Sequence, residues 1–136
     1  MKHYKLFISH SWKYDEDYKN LVQLLNNAKY FEYSDYSVPS DDPLTIYNPQ
    51  TNTELLNKLT NQISQSEAFI VIGGLYAKQS ETINEEIAIA QLFDKPIIVV
   101  KPFGNERCIR IEDYEKSYYI NWSTDSIVEA IRNYAI

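Results

Sequence analysis

The chain has 136 residues, which is enough for one domain with a substantial core, and we expect residues 1–136 to form a single domain. Its net charge of −6 argues against a nucleic-acid-binding protein, which would normally present a basic face. The single cysteine, Cys108, permits no intramolecular disulfide, and no apolar run reaches the roughly 18 residues of a membrane span. We therefore expect a cytoplasmic protein with neither a nucleic acid nor a membrane as partner.

Apolar periodicity predicts strands and helices in alternation along the chain. In chain order we predict a strand at 3–9, a helix at 15–28, a strand at 31–38, a helix at 51–63, a strand at 67–74, a helix at 80–94, strands at 95–100 and 116–121, and a helix at 123–135. Within these predictions, residues 68–72 and 96–100 are continuous apolar runs, which are typical of strands buried on both faces. Residues 31–38 are polar enough for the edge of a sheet.

Several expectations concern the ends and faces of the helices. We expect Asp15 to cap the first helix, and Thr51 with Glu54 has the spacing of a capping box at the second. Residues 39–50 hold three of the five prolines, so they are predicted to lack regular structure. In the last helix, the apolar residues at helical spacing are predicted to face the core: Ile127, Ile131 and Tyr134.

This alternation predicts an α/β fold in which a parallel sheet is covered by helices on both faces. Five strands at this length favour a flavodoxin-like three-layer sandwich with the strand order 2-1-3-4-5. In such sheets, ligands bind beyond the carboxyl ends of the strands, at the switch point beside strand 1. The segments SHSW, SVPSDDP, GGLY, KPFG and NWS follow the five strands, and we expect the functional site among them.

Glu86 is the residue that helical counting leaves unexplained. It lies within the arc of the third predicted helix that is otherwise apolar; the apolar members of that arc are Ile83, Ile87, Ile89, Ala90 and Phe93. Its neighbour Glu85 is turned about 100° away, and its spacing from Thr82 allows a capping box. A carboxylate on a packed face is costly unless it has partners or faces a cleft. One possibility is that Glu86 bonds to a basic or hydroxyl partner and fixes the helix to the sheet. The other is that Glu86 belongs to a ligand site, where its carboxyl would have a raised pKa.

Other polar and small residues follow the predicted strands. Ser9, His10, Ser11 and Trp12 offer hydroxyls, backbone amides and an aromatic face to a nucleotide, or they form an ordinary turn in which Trp12 covers the core. Gly73 and Gly74 allow a ligand to approach the backbone closely. A receiver domain would need an aspartate at the end of this middle strand, where the chain has the two glycines. No group of side chains in the sequence has the spacing of a metal site.

The segments FISHSW, YSVPSDDPL, VIGGLYAKQSETINEEIAIAQLFDKPIIVVKP and NWSTDSIVEAIR, taken in this order, resemble the bacterial TIR-like family. The resemblance is closest to the branch typified by the TIR-like subunit of Thoeris anti-phage systems, and it extends from residue 4 to residue 134. The serine at position 80, the acid six residues later and the KPII of the following strand form the more specific part of the match. Where relatives commonly carry tryptophan, this chain has Thr82.

The resemblance implies a flavodoxin-like TIR fold that acts on NAD. Glu86 matches the glutamate that, in catalytic members, engages the ribose attached to nicotinamide, so we predict it to be the catalytic residue. Residues 38–44 match a loop that helps to gate the site, and Tyr76 or Trp12 would supply an aromatic wall. The predicted substrate-binding set is Ser9, His10, Ser11, Trp12, Asp42, Gly73, Gly74, Tyr76 and Ser80.

Three functions are consistent with these residues. The first is an enzyme of anti-phage defence that cleaves NAD, its substrate, without a metal or cofactor. Its product would signal to a separate effector protein, and the enzyme would self-associate as a homo-oligomer. The second is a TIR-like interaction module that binds another protein through residues 39–50. The third is a nucleoside deoxyribosyltransferase-like enzyme, which would exchange bases between nucleosides and ignore NAD.

Overall fold

A computed structural model of the protein describes residues 2–9, 15–37, 49–74, 81–102 and 108–136. The strands are β1 (His3–Ser9), β2 (Glu32–Asp35), β3 (Ala68–Ile72), β4 (Ile97–Val100) and β5 (Ser117–Ile120). The helices of these described ranges are α1 (Asp15–Asn26), α2 (Pro49–Gln65), α3 (Glu81–Leu92) and α4 (Thr124–Tyr134). Every predicted strand and helix is therefore present, and most of them differ from the predicted bounds by a few residues at their ends.

All five strands form one parallel sheet in the order β2-β1-β3-β4-β5. The predicted α/β fold and its strand order are confirmed. The polar β2 lies at one edge, as its composition indicated, and the apolar β3 lies at the centre between β1 and β4. The chain leaves β1 toward β2 on one side and returns to β3 on the other, which places the topological switch point between β1 and β3.

Side-chain alternation divides the core into two layers. The face of the sheet that carries Phe7, Phe69, Val71, Ile97 and Val99 packs against α2 and α3; we call it the α3 face. The opposite face packs against α1 and α4, and its strand residues include Leu6, Ile8, Ile70, Ile98 and Val100. Because successive residues of a strand point to opposite faces, each buried strand supplies both layers.

Two helix starts differ from the sequence prediction. Helix α1 begins at Asp15 itself, so Asp15 is the first helical residue and not the residue that precedes the helix. Helix α2 begins at Pro49, which makes it longer than predicted and places Thr51 inside the first turn, where it cannot be the N-cap. The prediction that residues 39–50 lack regular structure was thus wrong for the last two. Proline suits the first turn of a helix because its fixed φ is already helical and no amide hydrogen is needed there.

The inward placement of the last helix is confirmed for Ile127 and Ile131, which are fully buried, and wrong for Tyr134, which is 38% exposed. The Tyr134 ring stacks on Tyr118 of the edge strand β5, with 3.6 Å between ring centroids. A tyrosine can cover an edge in this way while its hydroxyl stays near water. At the other end of α4, Ser123 accepts a hydrogen bond from the Ser126 amide and caps the helix.

Of the helices that the structure describes, none combines the length and apolarity that a membrane crossing demands.

Candidate functional site

Ser9 and Glu86 meet at the switch point of the sheet. Ser9 is the last residue of β1 and pairs in register with Val71 of β3, while Glu86 lies in the middle of α3. The Ser9 hydroxyl donates a hydrogen bond to Glu86 Oε1 over 3.4 Å, and the two residues are only 1% and 4% exposed. Residues 77 positions apart in the chain are thus brought together where ligands bind in open α/β sheets.

The two adjacent glutamates differ in burial, as helical counting predicted. Glu86 is buried with Ile83, Ile87 and Ala90, whereas Glu85 is exposed. The predicted apolar arc is narrower than expected, since Ile89 is only partly buried and Phe93 is 38% exposed. The capping box proposed for Glu85 was wrong, because α3 begins at Glu81 and its N-cap must precede Thr82.

Burial raises the pKa of the Glu86 carboxyl from 4.5 to about 8. The hydrogen bond from Ser9 acts in the opposite direction, and the nearby charge of Glu85 raises the pKa further. Since burial disfavours the charged form, Glu86 holds its proton at neutral pH in the empty site. A protonated, buried glutamate beside a strand end is a group that can donate a proton, or become a strong local charge once a cation arrives.

The structural partners of Glu86 do not account for its burial. Among the described residues, ion pairs join Lys2 to Glu67, His3 to Glu32 and Lys116 to Asp94, and none reaches Glu86. A hydroxyl partner is present in Ser9, but a donor–acceptor distance of 3.4 Å is long for a hydrogen bond between oxygens. One weak bond does not replace the hydration that a carboxylate loses on burial. Among the described residues, Ser9 is thus the hydroxyl partner of Glu86, and the role of Glu86 in a ligand site stays a prediction.

Gly73 has a packing role at the end of β3. A Cβ at this position would lie 2.6 Å from Val99 Cγ1 and 2.9 Å from Cys108 Sγ. Its backbone is also paired on both sides, since the Gly73 amide donates to the Val100 carbonyl and the Ile109 amide donates to the Gly73 carbonyl. Close packing thus explains the glycine at position 73 without a ligand, and its predicted substrate contact remains a prediction. The predicted substrate contact of Gly74, which is buried beside it, also remains a prediction.

Replacing Gly73 with alanine is expected to lower the free energy of unfolding by about 1–3 kcal/mol, the usual cost of overpacking a core. The added methyl group must displace Val99 or Cys108. Urea unfolding of G73A, V99A and the double variant measures this. If the clash is the cause, the double variant loses less stability than the sum of the single ones. A G73A protein as stable as the parent would contradict the packing role.

Asp35 holds the chain where it leaves β2. Its carboxylate accepts hydrogen bonds from the Tyr18 hydroxyl and from the Ser37 amide. Burial, followed by the hydrogen bond and charge of Asp35, raises the pKa of Tyr18, so this tyrosine stays a donor. The segment that leads toward the predicted gating loop is therefore tied to α1. The loop itself, residues 38–44, lies outside the described residues.

Several predicted site residues cannot be placed. His10, Ser11, Trp12, Asp42, Tyr76 and Ser80 all lie outside the described residues, and their substrate-binding roles stay predictions. Within the described ranges, no group of three or more His, Cys, Asp or Glu side chains could hold a metal ion.

The sequence analysis included Lys101 only as part of the segment KPFG and did not consider Arg110, yet both lie at the carboxyl-end edge of the sheet. Lys101 directly follows β4, and Arg110 is next to Ile109, which is hydrogen-bonded to Gly73. The position of Lys101 after a buried strand was a usable signal. Arg110 had no such signal in the sequence, because only the return of the chain after β4 brings it to this edge.

A family model described as "Thoeris protein ThsB, TIR-like domain" matches residues 7–107. The chain belongs to this family. The match includes both Ser9 and Glu86, so the pair at the switch point lies within the ThsB TIR-like region. The resemblance seen in the sequence is thereby confirmed. A search of curated proteins finds no match.

Among solved structures, the ThsB-family chain is similar to the CMP N-glycosidase BcmB of Clostridium botulinum. The similarity has a TM-score of 0.55 at 17% identity and covers 94% of this chain and 98% of the other. At this identity the similarity shows a common fold. That fold extends along almost the whole of both chains.

Proposed function

We propose that this ThsB-family protein cleaves the bond between nicotinamide and ribose in NAD, with Glu86 as the catalytic residue. The observation that carries the proposal is the buried Glu86 carboxyl at the β1–β3 switch point, hydrogen-bonded to Ser9. Family membership supports it, because Glu86 occupies the position that the TIR resemblance assigns to the catalytic glutamate. NAD is the substrate here, and the reaction needs no further cofactor.

The chemistry of NAD suits a site with one acid. When the bond between the ribosyl carbon and the ring nitrogen breaks, the electron pair leaves with the nitrogen, so the cationic ring departs as neutral nicotinamide. The ribosyl carbon acquires positive charge, which a carboxylate can stabilise. The departing nitrogen needs no proton, unlike the oxygen of an ordinary glycoside. Glu86 therefore acts in its ionised form.

Substrate binding itself favours that ionised form. An empty site holds Glu86 protonated, since burial raises its pKa to about 8. The positive charge of the nicotinamide ring next to the carboxyl would lower this pKa again, because an opposite charge favours the ionised state. Ser9 would continue to donate its hydroxyl hydrogen to the carboxylate. The negative charge of Glu86 therefore forms when the substrate binds, next to the ribosyl carbon that it stabilises.

The acceptor of the ribosyl carbon determines the product. Water gives ADP-ribose, an atom of the same molecule gives a cyclic nucleotide, and another nucleophile gives a conjugate. In anti-phage defence, such a product would act as a signal to a separate effector protein. Self-association into a homo-oligomer is part of the same proposal, and membership in a Thoeris family supports this setting.

A second candidate is cleavage of a pyrimidine nucleotide such as CMP. The similarity to a CMP N-glycosidase favours it, and so does the protonation of Glu86 at neutral pH. A neutral base leaves with negative charge, so a proton from Glu86 would assist its departure. The two candidates thus require opposite protonation states. Activity limited by Glu86 should rise with pH for NAD and fall with pH for CMP.

One incubation series separates these functions. The protein is mixed with NAD, with CMP, or with a deoxynucleoside and a free base, each with and without extract from phage-infected cells, and the products are read by mass spectrometry. We expect nicotinamide and an ADP-ribose derivative from NAD. Cytosine release from CMP alone would favour the second candidate, and base exchange would favour a deoxyribosyltransferase. If no product forms under any of these conditions, the protein is not a catalyst of these reactions, and the interaction module is the remaining function.

A further inference from the structure

Lys101 stands on the same side of the sheet as Glu86. Strand β4 pairs with β3 up to Ile72 and Val100, so the next step in register places Lys101 beside Gly73. The amide of Lys101 still donates to the Ile120 carbonyl, which keeps its backbone in the ladder. Because side chains alternate, Lys101 points to the same side as Val99, which is the α3 face.

Arg110 approaches the same place from the segment that covers the α3 face. The Ile109 amide donates to the Gly73 carbonyl over 2.7 Å, which fixes this segment to the end of β3. The guanidinium of Arg110 lies over the Tyr119 ring, 5.6 Å from its centroid. Tyr119 packs against the core cluster of the α3 face, so Arg110 is on this side as well.

Both cations act on Cys108. Burial raises the pKa of the Cys108 thiol, and the positive charges of Lys101 and Arg110 act on it in the opposite direction. The sulfur atom on which both charges act packs at Gly73. This is a local positive region in a chain whose net charge is −6.

Both cations are available for a ligand. Lys101 and Arg110 are exposed, and among the described residues neither forms an ion pair. Lys2 and Lys116, in contrast, are paired with Glu67 and Asp94. The acids nearest to Arg110 in the sequence, Glu112 and Asp113, are exposed on the turn that follows it.

We propose that Lys101 and Arg110 bind the 5′-phosphate of a nucleotide whose ribose lies against Glu86. The substrates are then 5′-phosphorylated ribosides and not free nucleosides. The inference rests on the proposed function, since it takes the ribose position from Glu86. Ideal sheet geometry places the Lys101 backbone about 10 Å across the sheet from Ser9 and about 7 Å further along the strands. One ribose and the flexible lysine side chain bridge that separation.

The inference also explains why two different cations are suitable. Arginine forms paired hydrogen bonds with phosphate oxygens in a fixed geometry, and lysine adds a mobile point charge. In NAD the group on the 5′ carbon is a pyrophosphate, and in CMP it is a single phosphate. The same two side chains would serve either substrate, whereas a deoxynucleoside has no group for them.

Binding to two ligands that differ by one phosphate tests the inference. In an E86Q background, which slows turnover, NMR titration compares nicotinamide mononucleotide with nicotinamide riboside. We expect the mononucleotide to bind about tenfold or more tightly, which is typical of hydrogen bonds to a charged group. Adding K101Q and R110Q should remove this preference and leave riboside binding unchanged. Added salt should reduce the preference, since exposed charges are screened.

The matched control is E86Q with K29Q and K58Q, which removes two exposed positive charges elsewhere. It should keep the phosphate preference. Equal binding of the two ligands by E86Q, binding of neither, or a preference that survives K101Q and R110Q would overturn the inference. These titrations need no turnover. If the protein prefers the phosphorylated ligand but cleaves no substrate, the phosphate site is supported and only the proposed function is contradicted.

Discussion

Replacing Glu86 by glutamine is expected to slow nicotinamide release from NAD by about a hundredfold to a thousandfold. This is the usual cost of removing one group that stabilises charge in a transition state. Glutamine keeps the size and the hydrogen-bonding capacity of the protonated side chain, so the fold and the contact with Ser9 have no reason to change. What it cannot do is become negatively charged when the ribosyl carbon becomes positive. Steady-state release of nicotinamide, followed by chromatography, measures the effect.

Glu85 provides a control at the adjacent position. E85Q makes the same substitution in the same helix, but Glu85 is exposed and turned away from the buried side. Its rate should stay close to that of the parent protein. If E86Q releases nicotinamide as fast as the parent, Glu86 is not catalytic. If E85Q loses as much activity as E86Q, the cause is the general charge of α3 and not the buried carboxyl.

The second large effect is on stability as a function of pH. The contribution of Glu86 to the stability of the parent protein is expected to fall as pH rises from 4.5 to about 8, the interval between the usual pKa of a glutamate and that of buried Glu86. In this interval the folded protein holds a proton that the unfolded chain has released. Folded molecules therefore bind more protons, and the free energy of unfolding falls with rising pH. Each unit of pKa shift corresponds to roughly 1.4 kcal/mol.

The E86Q variant isolates this contribution, because every other titrating group is common to both proteins. Near pH 4 the two proteins should have similar stability, since a protonated glutamate resembles glutamine. Above pH 8 the variant should be the more stable protein, because the parent must then bury a charge or open its site. Urea unfolding at one-unit pH steps measures the difference. A difference that does not change with pH would show that the Glu86 carboxyl titrates normally.

These two predictions depend on features that could be read from the sequence to different degrees. The strand order follows from the alternation of strands and helices, since short right-handed connections leave few topologies for five parallel strands. The burial of Glu86 follows from helical spacing, because Ile83, Ile87 and Ala90 lie around it on the same arc. Its meeting with Ser9 follows from the switch-point rule, which brings the end of β1 to the helix after β3.

Other features depend on contacts that no local pattern contains. The start of α2 at Pro49 was missed because proline was treated as a breaker, although it is favourable at the first turn. The exposure of Tyr134 depends on β5 being an edge strand, where Tyr118 offers it a stacking partner. The proximity of Lys101 and Arg110 depends on the return of the chain to Gly73 after β4. Such placements require the tertiary fold.

The central claim is that the buried Glu86 carboxyl faces a nucleotide site at the switch point. The most direct measurement is an NMR pH titration of side-chain carboxyl carbons in ¹³C-glutamate-labelled protein, with and without ADP-ribose, using E86Q to assign the signal. We expect the Glu86 carboxyl to have a pKa of about 8 without ADP-ribose and its signal to shift when ADP-ribose binds. A Glu86 signal that titrates at an ordinary glutamate pKa, or that does not respond to ADP-ribose, would contradict it.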